Sequence, residues 1–207
     1  IADIVKEQGF STAAFIGGVT LQDSACGLNR NFDVYDDAFT YSPDDMSRPG
    51  KEVTQKAMEW ISAQNGPYFA FVHYFDAHFP YTPSPPWDTQ YDPTYTGSID
   101  GSDAVLRPFR DGQKSPTKED VEHVLALYDG ELSELDQTIA PLLESLDSNT
   151  LVVVTSDHGE SFEHGYYFNH RGGLWDGITH VPLIIRGPGV TPTRIKNQVG
   201  LIDVLPT

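Results

Sequence analysis

Four short apolar runs, "STAAFIGG", "YFAFVHYF", "LVVVTS" and "VPLIIRG", recur along the chain with segments of helical spacing between them. No other feature constrains the fold as much. A strand with one wet face alternates apolar and polar residues, whereas a strand covered on both faces is apolar throughout. "KEVTQKAMEWISAQ" sets Val53, Ala57, Met58 and Ile61 three or four residues apart or adjacent, and "TKEDVEHVLALYDGELSELDQTI" continues such spacing from Val121 to Ile139. Strands alternating with helices predict an α/β chain: a largely parallel central sheet with helices on both faces, a three-layer αβα sandwich. Sites in such sheets gather just beyond the carboxyl ends of the strands.

The element ends carry their own signals. Residues 1–8 read as a helix stopped by Gly9, and Asn65-Gly66-Pro67 ends the helix before "YFAFVHYF". Thr117, with Asp120 three residues on, caps the longest helix, and Pro141 is expected to kink it or begin a new turn. Residues from about 80 to 117 are rich in Pro, Gly, Asp and Thr with little periodicity. They predict a long irregular loop, one that overhangs a site because it follows "DAHFPY" directly. A length of 207 residues suits one large α/β domain or part of a bigger one. The chain lacks a starting methionine and stops inside an apolar pattern, so it reads as an internal, incomplete piece of a longer protein.

Charge narrows the partners. Thirty acidic residues against 13 basic ones give −17, which repels nucleic acid and anionic lipid, and repels an anionic substrate unless a cation sits in the site. The balance resembles the salt-adapted surfaces of haloarchaeal proteins. One cysteine, Cys26, excludes an intrachain disulfide. No run reaches the ~18 apolar residues of a membrane span. No leader-like segment is visible, so both a cytoplasmic and an exported location stay open, as does the oligomeric state.

The chemistry concentrates in "VVVTSDHGESFEHG", residues 152–165. Asp157 and His158 fall where an apolar strand ends. A carboxylate beside an imidazole suits Zn, Mn or Fe, and Ca less readily. The competing reading, favoured on the dipeptide alone, is a helix N-cap followed by a surface histidine. His78, flanked by Phe79 and Tyr81, reads equally as a general acid and as a loop histidine held by packing. His73, inside its strand, reads as buried and satisfied by a backbone group. His164 and His170 flank "GYYFN", with Arg171 next, and all three also suit a polar loop.

"TSDHGESFEHG" resembles the C-terminal metal-binding motif of sulfatases and their relatives in the alkaline phosphatase superfamily. "GFSTAAFIGG" with "GLNRNFDVYDD", then "YFAFVHYFDAHFPYTPSPPW", "ALYDGELSELDQTIAPLLESL", "GGLWDGITHVPLIIRGPGV" and "LIDVLPT" are similar to successive sulfatase segments in the same order. The resemblance implies an alkaline phosphatase-like fold and one divalent ion held by Asp157 and His158. Calcium is commonest in the family, and the Asp-His pair also suits Mn or Zn. It implies that His78 touches the ester group or its leaving oxygen, and that His164 and His170 lie on the leaving-group side. Arg171 or His170 stands near the family's lysine, where a cation would steady a transferring oxyanion. His180 reads as structural or at the rim. "CGLNR" lacks the proline of the family's C/S-x-P-x-R nucleophile pattern, so Cys26 reads as a small packing residue. The nucleophile segment and the first metal-binding aspartates would lie upstream of Ile1, which leaves the 207 residues alone open to being inactive. The implied activity is metal-dependent hydrolysis of sulfate esters of small molecules or glycans. A phosphonate or phosphodiester hydrolase, a phosphoethanolamine-type transferase, and a non-catalytic acidic ion-binding domain are the alternatives.

Overall fold

A computed structural model describes residues 1–40, 46–171 and 173–205, so the last two residues of "LIDVLPT" and Gly172 in "GGLWDGITHVPLIIRGPGV" lie outside it. The chain divides into two compact units. The first takes in Ile1–Pro108 and Pro116–Ser145, and the second Phe109–Ser115 and Leu146–Thr207.

The first unit is α/β. Helix α1 (Ala2–Glu7) gives way at Gly9, whose φ of +85° is the left-handed conformation that glycine adopts without penalty. Strand β1 (Ser11–Ile16) follows, buried from Thr12 to Ile16. A single helical turn, α2 (Asp23–Cys26), leads to β2 (Val34–Asp36), and α3 (Gly50–Ser62) leads to β3 (Tyr68–His73). The sheet order is β2-β1-β3 and both pairings are parallel, with Ala13 opposite Val34 on one side and Ala70 on the other. The continuous apolar run of β1 is thus explained by its central position. At the edge, β3 is only half-buried.

Helix α3 lays buried Val53 and Ala57, one turn apart, toward β1 and β3. Arg48, buried just ahead of it, pairs with Asp36 at the end of β2 and with Glu52, each at 2.9 Å. The long helix α5 is Lys118–Ser145. It packs on α3, and the Thr54 hydroxyl donates to the Thr138 carbonyl at 3.1 Å. Its N-terminus is a reciprocal box: Thr117 Oγ1 accepts from the Asp120 N–H at 3.1 Å, and Asp120 Oδ2 accepts from the Thr117 N–H at 3.0 Å. Thr117→Ala is expected to cost about 1 kcal/mol, read as a lower urea midpoint with unchanged slope. The helix runs unbroken through Pro141, where the sequence predicts a kink or a new turn.

The stretch from 80 to 117 is not uniformly irregular. It contains α4 (Asp103–Arg110), anchored by fully buried Leu106. Upstream of it, the chain is tied along α5. The Tyr91 hydroxyl meets the Ser133 hydroxyl at 2.7 Å, Tyr95 donates to Asp120 at 2.9 Å, and buried His123 bonds Asp92 at 3.0 Å beneath the Tyr95 ring. A helix this short, with Pro108 inside it, leaves too little periodicity to read.

In the second unit β4 (Val152–Thr155) pairs with β7 (Leu183–Arg186), Val152 opposite Arg186. This pairing is antiparallel, against the largely parallel expectation for these runs. Parallel neighbours need a crossover, usually through a substantial helix. Here the connection holds a hairpin, β5 (Ser161–Glu163) with β6 (Tyr166–Asn169), and one helical turn, α6 (Asp176–Thr179).

Candidate functional site

No helix follows Asp157 and His158, so the helix-cap reading of that pair fails. The chain leaves β4 through two hooks. Thr155 Oγ1 donates to the Pro182 carbonyl at 2.8 Å, and Ser156 Oγ donates to the His158 carbonyl at 2.6 Å. Beyond them, the Gly159 N–H donates to the Ile178 carbonyl at 2.7 Å. A side chain at Gly159 would run into the Gly177 carbonyl oxygen, so glycine is what lets the loop seat against α6.

Between these anchors the two candidate ligands meet. His158 Nδ1 lies 2.9 Å from the Gly159 carbonyl. A carbonyl only accepts, so Nδ1 carries the proton and Nε2 of the neutral ring keeps the lone pair. That Nε2 lies 3.5 Å from Asp157 Oδ2, while Asp157 Oδ1 accepts from the His158 N–H at 3.0 Å. Two donors each about 2.1 Å from a shared tetrahedral ion stand about 3.4 Å apart. The pair therefore has the bite of two neighbouring ligands. A metal-bound histidine characteristically gives its other N–H to a carbonyl or carboxylate, as His158 does to Gly159. Asp157 is 84% exposed, so its carboxylate is open to an ion. Among the described residues no three His, Cys, Asp or Glu side chains converge as a metal site.

His170, one residue past β6, stacks on His158 with ring centroids 4.0 Å apart. Glu160 reaches toward it, Oε1 lying 3.8 Å from His170 Nδ1, and the Glu160 side chain is only 7% exposed. Burial, then the neighbouring His158, push the His170 pKa below the ordinary imidazole value, with the Glu160 carboxylate opposing. His170 thus favours its neutral form, and fixed positive charge in this stretch falls to exposed Arg171, whose backbone N–H donates to Asn169 Oδ1 at 2.9 Å. Sequence reasoning passed over Glu160 as a site residue. Its burial comes from tertiary packing, and no local pattern signals it.

The structure places His164 elsewhere in the same unit. With Gly165 it forms the two-residue loop of the β5–β6 hairpin, at φ values of +58° and +78°. Positive φ at both loop residues marks a type I′ turn, whose twist matches that of the strands. The His164 ring lies against Trp175, and its Nε2 is 3.5 Å from Glu163 Oε1. His180 is exposed after α6, its N–H given to the Asp176 carbonyl at 2.9 Å.

In the first unit, His78 sits in the turn after β3. Its N–H donates to the Phe75 carbonyl at 3.0 Å, and its ring stacks on Phe75 at 4.2 Å. Gly18 makes that possible, since a side chain there would occupy the Phe75 ring. His78 Nδ1 donates to the Phe79 carbonyl at 2.7 Å, which again puts the proton on Nδ1. The ring is therefore held in one orientation and one tautomer. Asp76 accepts from the Gly50 N–H at 2.9 Å, at the start of α3; burial raises its pKa and that bond opposes the rise. His73 Nδ1 accepts from the Gly17 N–H at 3.4 Å. Cys26 is exposed at the end of α2, its thiol 3.4 Å from the Leu21 carbonyl, so the expectation of a packing residue is corrected: a single-turn helix has no buried face for it.

A parallel sheet, the helices on it and the matches to solved structures define the class as an alkaline phosphatase-like α/β fold. The sequence then gives the family: residues 1–207 match the Sulfatase family model, and the chain belongs to the sulfatase family. It is 33% identical to Arylsulfatase K of Canis lupus familiaris over 98 residues, 44% of this chain and 18% of that protein. The structure is similar to the phosphonate monoester hydrolase of Agrobacterium radiobacter, with a TM-score of 0.64 and 20% identity, covering 91% of this chain and 52% of that one. It is equally similar, TM-score 0.64 at 16% identity over 90% and 55% of the two chains, to a protein solved in complex with its substrate D-glucosamine-2-N,6-O-disulfate. The chain thus spans about half the length of these solved structures and less of the curated relative.

Proposed function

We propose that the intact protein hydrolyses sulfate esters with a divalent metal ion, and that Asp157 and His158 supply two of that ion's ligands. The observation that carries this reading is the His158 ring: its Nδ1 proton is committed to the Gly159 carbonyl, which leaves Nε2 beside the Asp157 carboxylate. An ion held there would polarise the ester and offset the charge of an acidic protein. Glu160 and His170 brace the His158 ring. His78, oriented by Phe75 and the Phe79 carbonyl, is assigned to the ester or leaving-group oxygen, as hydrogen-bond donor or general acid. Arg171 is assigned to steadying negative charge on the transferring group. Family membership and the relatedness to Arylsulfatase K support sulfate over phosphate, and the neighbour's sulfated glucosamine supports a glycan ester as the substrate class.

The Asp-His pair, and the likeness to a phosphonate monoester hydrolase, favour one second reading, hydrolysis of phosphonate or phosphate esters. A chelator-treated preparation of the full-length protein, assayed on p-nitrophenyl sulfate and on p-nitrophenyl phenylphosphonate with Ca, Mn or Zn added back, separates the two. Metal-restored turnover of the sulfate by at least tenfold over the phosphonate is expected. The reverse preference moves the protein to the second reading, and metal binding without turnover of either ester leaves only an ion-binding domain.

A further inference from the structure

Helix α5 carries a carboxylate on its buried face. Its buried residues include Val124, Leu127, Gly130, Glu131, Thr138 and Leu142, and among the described residues no cation pairs with Glu131. Glu131 is 8% exposed, and its Oε1 accepts from the Thr82 N–H at 2.7 Å. One turn on, Glu134 Oε2 accepts from the Ser84 N–H at 2.8 Å. Both acceptors thus grip the strap that follows His78 directly. The rest of the strap is fitted just as closely. Tyr81 is fully buried edge-on to Tyr128 of the same helix, and Gly130 leaves room for the Trp87 carbonyl, 2.6 Å from where a side chain would begin.

A glutamine would satisfy Thr82 equally well without a charge to bury. We infer that Glu131, backed by Glu134, is a positioning residue for His78: it clamps the strap while it is protonated and releases it as it ionises. That His78 acts on the ester rests on the function proposed above; the clamp itself does not.

The charges facing Glu131 give the direction. Asp76, from the turn after β3, and Glu134, on its own helix, are both acidic, and the strap contributes only the Thr82 N–H. Burial chiefly, and then these two carboxylates, push the Glu131 pKa up to about 7, with the Thr82 N–H opposing. In an opened strap the carboxyl is solvated and titrates near its ordinary 4.5. The clamped state therefore binds the proton more tightly than the opened one. Its advantage is complete below the ordinary carboxyl range and is lost as pH rises from there through about 7.

Amide exchange of residues 79–87 in the full-length protein, corrected for the intrinsic pH dependence of exchange, tests this without turnover. Protection is expected to fall about tenfold or more between pH 5.5 and 8.5 in the native protein and to stay flat in Glu131→Gln, which keeps an acceptor for Thr82 and cannot ionise. Glu131→Leu should lower protection at every pH. In the activity profile the same Glu131→Gln change should remove a decline in kcat above about pH 7 while leaving KM within about twofold. Flat protection in the native protein, or an unaltered pH dependence in Glu131→Gln, overturns the inference. Inactivity toward sulfate esters with the exchange pattern intact overturns only the function proposed above.

Discussion

Asp157→Ala in the full-length protein is expected to lower bound divalent metal by at least about tenfold and ester hydrolysis by at least about a hundredfold. Loss of a residue that merely orients a ligand costs about 10- to 100-fold in metal affinity or activity, and loss of a ligand should match or exceed that. The geometry gives the change nowhere to be absorbed. His158 Nε2 faces the Asp157 carboxylate at 3.5 Å, and among the described residues no trio of ligating side chains converges. Because Asp157 is 84% exposed, the protein should lose little stability, so the unfolding midpoint separates lost ligation from lost fold. Glu160→Gln should act more mildly, within the 10- to 100-fold range, because Glu160 reaches the imidazole pair only through His170. Exposed Cys26 supplies the control: Cys26→Ser should leave both metal content and turnover as they were. Metal retained by Asp157→Ala at native stoichiometry, with turnover intact, would sink the assignment of this pair.

The fold was legible wherever burial imposes a pattern. The unbroken apolar run of β1 announces a strand covered on both faces, and Thr117 with Asp120 announces the start of α5. Direction was not legible for β4 and β7, because an apolar run reads the same whichever way its partner runs. The β5–β6 hairpin had a signal, "EHGY", in which glycine takes the second loop position. Histidine at the first position, in place of the commoner Asn or Asp, hid it. Asp157 and His158 stood out as a carboxylate beside an imidazole, with the metal role expected only from the resemblance to sulfatases, and the proton on Nδ1 follows from the Gly159 carbonyl, a detail of backbone conformation. Arg48 and Glu160 show the limit from the other side. Arg48 pairs with Asp36, 12 residues back, as well as with Glu52, four residues on, and Glu160 owes its burial to tertiary packing, a cause no local window contains. Glu131 was within reach, since it interrupts the buried stripe of α5 at helical spacing from Leu127 and Thr138.

The largest effect on stability is expected from a glycine of the first unit. Gly101 holds φ at +78°, and a methyl group there would fall inside the Tyr81 carbonyl oxygen, with Leu127 Cδ1 at 2.9 Å. Neither neighbour can yield easily. Tyr81 is fully buried and its N–H donates to the Gly101 carbonyl at 3.1 Å, while Leu127 is 5% exposed in the middle of α5. The left-handed conformation costs a residue with a side chain about 1–2 kcal/mol, and forcing buried backbone apart adds about 1–3 kcal/mol. Gly101→Ala should therefore destabilise the protein by about 2–5 kcal/mol, seen as a fall in the urea midpoint. Gly9→Ala isolates the conformational part of that cost. Gly9 has a similar φ of +85°, but nothing lies within 4 Å of its missing side chain, so only the conformational share of about 1–2 kcal/mol should appear. If the two variants unfold at the same urea concentration, the strap after His78 is not packed on Gly101, and the clamp on α5 would lose the support that makes a single bond from Glu131 to Thr82 consequential.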